Sequence, residues 1–208
     1  MVRNCYILEN NVRHYDFKKC LQHIDEEGKK RYGQKFTIDK SDHKIIYQLL
    51  CFAIREEEQC ANFGIDLNKG ILLIGPVGCG KTSLLTLIND FMFKDQKYQV
   101  KSTLEIASEF NNEGFTIIHK YGFRQKVFCL DDIGVEQNMK YYGNECNTIA
   151  EILLLRYDLF VNFGIVTHAT TNLNAEELEK LYGARVRSRL RSMFNLISFP
   201  KTSNDKRK

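Results

Sequence analysis

The chain has 208 residues, 43% of them hydrophobic and 27% charged, which is the composition of one folded domain able to bury a core. No apolar run approaches the roughly 20 residues of a membrane span, and Met1-Val2-Arg3-Asn4-Cys5-Tyr6 lacks the marks of a secretory leader, so a cytoplasmic protein with no membrane partner is expected. Seven cysteines without a C-x-x-C pair exclude a disulfide framework or zinc site, and a net charge of +4 is too small by itself to name nucleic acid as a partner.

Residues 1–40 are polar and interrupted. Val12, Tyr15, Phe17, Leu21 and Ile24 lie loosely at helical spacing, which predicts one or two short helices and a turn near Arg31-Tyr32-Gly33. Ser41 or Asp42 is placed to cap a helix from Ile45 to about Asn62, with Ile45, Ile46, Leu49, Leu50, Phe52 and Ala53 on one broad face. Asn68-Lys69-Gly70 turns into a strand, Ile71-Leu72-Leu73-Ile74. Beyond the helix opened by Ser83-Leu84-Leu85, Tyr98-Gln99-Val100-Lys101 is a short strand. Thr103 to Asn112 is a helix with Leu104, Ile106, Ala107 and Phe110 inward, and residues 111–126 read as loop. Val127-Phe128-Cys129-Leu130, four apolar residues in a row, suits a parallel strand covered on both faces. Asn144 to Phe160 is apolar nearly all round, the pattern of a helix wedged between layers or against another subunit. A strand follows over 164–172, then helices Ala175–Leu181 and Arg185–Met193, the latter preceding a strand Leu196-Ile197-Ser198-Phe199 and a basic tail, 201–208. The alternation predicts a doubly wound, mostly parallel α/β sheet.

Between the first of these strands and its helix lies Gly75-Pro76-Val77-Gly78-Cys79-Gly80-Lys81-Thr82-Ser83, a G-x-x-x-x-G-K-T phosphate loop in the strand-before, helix-after context that it needs. Glycines keep side chains away from backbone N–H groups that wrap around phosphate oxygens, and the helix turns its positive end toward the same anion. Lys81 is expected to reach the β- and γ-phosphates of ATP, and Thr82 to hold Mg²⁺. Cys79 lies inside the loop, where alkylation or oxidation would be able to block the nucleotide. The acidic half of such a site is Asp131-Asp132 at the end of its own strand. Strand side chains alternate, so Asp131 is assigned to Mg²⁺ and Asp132 to orienting or deprotonating the attacking water.

Two later segments narrow the reading. Thr170-Thr171-Asn172-Leu173 puts a polar side chain at the end of another strand, where Asn172 can face the γ-phosphate, whereas Asn174 is the better placed helix cap. Tyr182-Gly183-Ala184-Arg185-Val186-Arg187-Ser188-Arg189-Leu190-Arg191 carries two opposed i,i+4 arginine pairs, Arg185/Arg189 and Arg187/Arg191. Two opposed pairs predict that one side serves something other than solvent, such as a neighbour's nucleotide.

With the phosphate loop, Leu130-Asp131-Asp132-Ile133-Gly134, Leu155-Arg156-Tyr157 and these last two segments, the region from about Gly64 to Phe199 resembles the AAA+ ATPases of the DnaC/IstB type. These are bacterial replicative helicase loaders and ATPase helpers of transposases. The resemblance implies a P-loop sheet in the order 5-1-4-3-2 with helices on both faces and no C-terminal helical lid. It implies Asn172 as γ-phosphate sensor and an arginine finger acting on the adjacent subunit of an oligomer, Arg189 by position with Arg185 second; a finger in trans contributes about 10³–10⁵ in rate. It divides the chain into a partner-binding segment, 1–40, an ATPase domain, 41–200, and the tail, and it names a replicative helicase or a transposase as partner. DNA contact is expected between Lys101 and Lys126, where Lys101, His119, Lys120, Arg124 and Lys126 interleave with Phe115, Tyr121 and Phe123. A nucleotide-gated switch with little hydrolysis and a small-molecule kinase are the competing readings of the same loop.

Overall fold

Asn10 and Asn11 both take positive φ (50° and 63°), the backbone of a two-residue hairpin turn that asparagine tolerates. They join β1 (Tyr6–Glu9) to β2 (Val12–Tyr15) in antiparallel register. The computed structural model, which describes residues 2–136, 139–141 and 144–207, therefore has, after a single 3-10 turn at Val2–Cys5, a hairpin where helical spacing was expected; the α-helical period begins only at Phe17. Met1 and Lys208, the ends of the expected N-terminal segment and basic tail, lie outside the described residues. Helix α1 (Phe17–Tyr32) is capped by Asp16, whose carboxylate accepts the Lys18 and Lys19 N–H groups, and it ends at Gly33.

The single helix expected over 45–62 is two, α2 (His43–Ile54) and α3 (Glu57–Asn62), parted by Arg55 in the left-handed region at φ 58°. Asp42 precedes α2 but caps nothing: its buried carboxylate pairs with Lys206.

From here strand and helix alternate: β3 (Gly70–Ile74), α4 (Lys81–Ile88), β4 (Gln99–Ser102), α5 (Thr103–Glu113), α6 (Phe115–Gly122) and β5 (Phe128–Asp131). After a small hairpin of β6 (Met139–Tyr141) and β7 (Asn144–Cys146) come α7 (Thr148–Phe163), β8 (Thr167–Thr171), α8 (Ala175–Met193) and β9 (Phe194–Ser198). Three expectations are corrected. Residues 111–126 are not loop but hold α6, which restarts after Gly114 (φ 61°) and buries Ile117, Ile118 and Tyr121. Helix α7 starts at Thr148, capped by Asn147, because Asn144 belongs to a strand. Leu104 faces outward, 53% exposed, while Ile106, Ala107 and Phe110 are buried. The two helices expected after residue 174 are present as the two halves of α8, parted by the non-helical Gly183 (φ 84°, ψ 162°), and the first starts with a capping box of Asn174 and Glu177.

The five main strands pair in parallel in the order β4-β5-β8-β3-β9. Numbered among themselves and read from the β9 edge, that is 5-1-4-3-2. Both faces are covered. Ile71 and Leu73 of β3 join a core with Ile24 of α1, Leu49 of α2 and Leu85 of α4; Leu72 points the other way, into a core with Ile106, Ile117, Ile152 and Leu190. That two-sided burial is why the strand reads as an unbroken apolar run. No helix among the described residues is long and apolar enough to cross a membrane.

Candidate nucleotide-binding site

At the C-terminal end of β3 the backbone turns through Gly75–Gly80 into α4. Gly78 (φ 80°) and Gly80 (φ 97°) occupy the left-handed region, which a side chain would strain. A Cβ at Gly75 would overlap Phe199, so this glycine is held by packing. Gly75 N–H is anchored on the Thr171 carbonyl of β8 at 3.2 Å.

Beside the loop lies a cavity of about 760 Å³, lined by Gly78, Gly80, Lys81, Thr82 and Ser83 on one side and by Asp132 and Asn172 on another. Lys81 is folded back, its ammonium donating to the carbonyls of Gly75 (2.9 Å) and Pro76 (3.0 Å). Val77 is exposed at the cavity rim. Cys79 is not: its side chain is fully buried in the core and burial pushes its thiol pKa up, so the expected reactivity toward alkylation or oxidation is corrected to that of an inert core thiol.

The two acidic residues diverge as strand geometry requires. Asp131 accepts the Thr82 hydroxyl (2.8 and 3.0 Å to its two oxygens) and the Thr170 hydroxyl at 2.7 Å. Burial raises its pKa above the usual aspartate range, assisted by the nearby Asp132, while these two hydroxyls and Lys81 pull the other way. Asp132 leaves the strand at φ 58° and lines the cavity. Its N–H donates to Thr170 Oγ1 at 2.7 Å, and its carbonyl accepts from Thr103 at 2.8 Å. Thr171 completes the clasp by donating to the Ile133 carbonyl at 2.7 Å. Asn172, exposed, stands at the cavity wall. Lys81, Thr82, Asp131, Asp132 and Asn172 are thus brought together. Sequence reasoning missed Thr170, whose hydroxyl bridges both acidic residues, although its place on the central strand was visible.

Arg189 is not brought to this cavity. It rests 4.6 Å over the Tyr157 ring, donates to the Leu154 carbonyl at 3.2 Å, and lies 3.9 Å from Asp158, all on α7. Arg185 is exposed and makes no such contact among the described residues. Arg156 is fully buried and donates to Thr167, Arg124 and Val166, tying α7 to β8.

Of the expected DNA-contacting side chains, Tyr121 is removed: it is buried and its hydroxyl donates to Glu109. Lys120 pairs with Glu109 at 2.8 Å. His119, Phe115, Phe123, Arg124 and Lys126 remain exposed on α6 and the loop after it, and Lys101 is half-buried on β4.

The cavity has two further walls that the motifs do not announce. One is the end of α1 and the loop beyond it, including Tyr32 and Phe36, whose rings stack 5.8 Å apart; the other is Asn204 to Arg207 of the tail.

No family model matches the chain. Among solved structures it is similar to a DnaC helicase loader, with 19% identity over 79% of this chain and 93% of that one at a TM-score of 0.57. It is also similar to a putative primosome component from Streptococcus pyogenes serotype M3, with 20% identity over 80% and 83% at a TM-score of 0.57. A third is DnaI, with 22% identity over 88% and 94% at a TM-score of 0.52. At such identities the likeness is one of fold: a five-stranded parallel sheet with helices on both faces.

Proposed function

We propose that the chain is an ATP-binding and ATP-hydrolysing AAA+ protein that acts on DNA in the cytoplasm as a replicative helicase loader. The observation that carries this reading is the direct contact of Thr82 with Asp131 at the wall of a cavity that Thr82, Lys81, Asp132 and Asn172 line. Backbone N–H groups from Gly78 to Thr82 receive the phosphates, and Lys81 exchanges the Gly75 and Pro76 carbonyls for the β- and γ-phosphates. A hydroxyl beside a carboxylate is the hard-oxygen pair that suits Mg²⁺, so Thr82 and Asp131 would hold it; when bound, the ion neutralises phosphate charge. Asp132 orients or deprotonates the attacking water, and Asn172 contacts the γ-phosphate.

Completion of the site in trans rests on the arginine helix. Arg185, exposed and uncommitted, fits the finger better than Arg189, which α7 already holds. Contact with single-stranded DNA is placed on Arg124, Lys126 and the exposed rings of Phe115 and Phe123. The segment 1–40 carries partner contact, with Ile7, Leu8 and Val12 exposed on its hairpin. The likeness to a DnaC helicase loader supports a replicative helicase over a transposase as that partner. A second reading, a nucleotide-gated switch with little hydrolysis, draws on Lys81 being turned onto its own loop.

ATPase rate measured against protein concentration, with and without single-stranded DNA, separates them. The loader reading expects cooperative, DNA-stimulated hydrolysis; a flat, near-zero rate overturns it in favour of the switch. Mixing Arg185→Ala with Lys81→Ala protein should restore activity if the finger acts across subunits, since one chain supplies the finger and the other the loop.

A further inference from the structure

Residues 200–207 fold back over the phosphate loop. The Lys206 N–H donates to the Gly78 carbonyl at 3.0 Å, its ammonium pairs with the Asp42 carboxylate, and the same ammonium stands 5.5 Å from the centre of the Phe199 ring. Asp42 is 3% exposed and one of its oxygens has no hydrogen-bond partner, so Lys206 is the cation that compensates a buried charge. These contacts seat the next residue inward, Asp205, directly on the loop: a Cβ added at Gly78 would overlap the Asp205 carboxylate. That carboxylate is held in place by the Arg207 N–H at 3.0 Å. Asn204 to Arg207 form one wall of the cavity whose other walls carry Lys81, Thr82 and Asp132.

We propose that this segment is a strap, locked by Lys206 on Asp42 and Gly78, that holds the Asp205 carboxylate where it opposes a polyphosphate on the loop, so that nucleotide binding and strap docking compete. The inference rests on the nucleotide reading above and adds its regulation. Two like charges beside one loop repel at short range, an effect that solvent and salt reduce at the exposed Asp205 and do not abolish at contact distances. Whatever releases the strap then raises nucleotide affinity, and by linkage the nucleotide loosens the strap by the same factor.

The test measures ATP affinity by titration with a fluorescent ATP analogue in four full-length proteins: wild type, Lys81→Ala, Asp205→Asn, and the double variant Asp42→Asn/Lys206→Met. The double variant unlocks the strap without leaving a buried carboxylate bare, and a thermal melt of each variant confirms that it is folded. Asp205→Asn and the double variant should each bind roughly three- to tenfold more tightly than wild type. In wild type, hydrogen exchange of the Lys206 amide should quicken when a non-hydrolysable ATP analogue saturates the protein. Equal affinity in wild type and both strap variants, with Lys81→Ala still defective, overturns the strap while leaving the nucleotide reading intact. Weaker binding in the double variant, or slower exchange at Lys206 with nucleotide, also overturns it, because the tail would then be a ligand of the nucleotide and not its competitor. No ATP binding by wild type, Asp205→Asn or the double variant overturns the nucleotide reading, and the strap with it.

Discussion

Thr170→Val removes one hydroxyl and keeps the shape of the side chain. That hydroxyl donates to Asp131 at 2.7 Å and accepts the Asp132 N–H at 2.7 Å, and the residue is fully buried. A hydrogen bond to an ionised carboxylate contributes about 1.5–3 kcal/mol and a neutral one about 0.5–1.5. The variant should therefore unfold with about 2–4 kcal/mol less stability at pH 7.5. Thr170→Ser keeps the hydroxyl and loses one methyl, about 1 kcal/mol. The pH dependence supplies the sharper check. Asp131 already has a raised pKa, so the folded state takes up its proton more readily than the unfolded chain; its ionised form costs stability, increasingly as pH rises from the unfolded value through the folded one. Removing a hydroxyl that favours the carboxylate pushes that pKa further up. The penalty of Thr170→Val should thus be largest above the folded pKa of Asp131 and shrink toward pH 4, as protonation of Asp131 dispenses with the charged acceptor. Urea unfolding at pH 7.5 and pH 4.5 measures both. A penalty under 1 kcal/mol at pH 7.5, or one that does not diminish in acid, would refute the assignment of Thr170 to the ionised Asp131.

The other predictions concern separate parts of the molecule. Asp132→Asn should keep ATP bound while hydrolysis falls by about 10²-fold or more, whereas Lys81→Ala should lose binding; loss of binding in Asp132→Asn means that the two acidic roles are exchanged. Arg156→Met strands three acceptors, on Thr167, Arg124 and Val166, and should cost about 2–5 kcal/mol in denaturant unfolding, a loss that Arg156→Lys repairs only in part. His168 is buried and neutral, its Nδ1 accepting the Ile71 N–H at 3.1 Å, and burial lowers its pKa to about 3. Between pH 6.5 and about 3 the unfolded chain binds the proton that the folded one refuses, so stability should fall by about 1.4 kcal/mol per pH unit as pH drops through that window. His168→Asn, which keeps an acceptor for Ile71, should flatten that slope, and an unchanged slope counts against a neutral buried His168.

What was legible in the sequence follows from how far each interaction reaches along the chain. The phosphate loop is local: nine consecutive residues set their own backbone, and β3 and β5 announce themselves because burial on both faces leaves no polar position to interrupt the run. The first hairpin was illegible for the opposite reason. Ile7, Leu8 and Val12 are exposed, so β1 and β2 carry no inward-outward alternation, and only Asn10-Asn11 marks the turn. Helix α6 hid behind the break at Gly114 and the charged surface of Lys120 and Arg124, although Ile117, Ile118 and Tyr121 carry a helical period. The cavity's tail wall depends on Lys206 finding Asp42 across 164 positions, and no spacing rule connects such a pair.

The strand order explains why the site depends on a residue that the motifs pass over. The phosphate loop leaves β3 and the acidic pair leaves β5, and these strands are not neighbours; β8 lies between them. Every polar tie between the two halves along the sheet must therefore run through the end of β8. Thr171 receives the loop's Gly75 N–H on its carbonyl and donates its hydroxyl to Ile133, while Thr170 holds Asp131 and Asp132 together. Asn172 follows immediately at the cavity wall. A pull on Asn172 by a bound γ-phosphate would thus act on the two threonines that hold the Asp131 carboxylate and the backbone of Asp132 and Ile133. Thr82 gives Asp131 its only direct side-chain link to α4 among the described residues. Asp131 is thus held by two hydroxyls, Thr82 from α4 on both of its oxygens and Thr170 from β8 on one of them, so the carboxylate joins the loop's helix to the central strand.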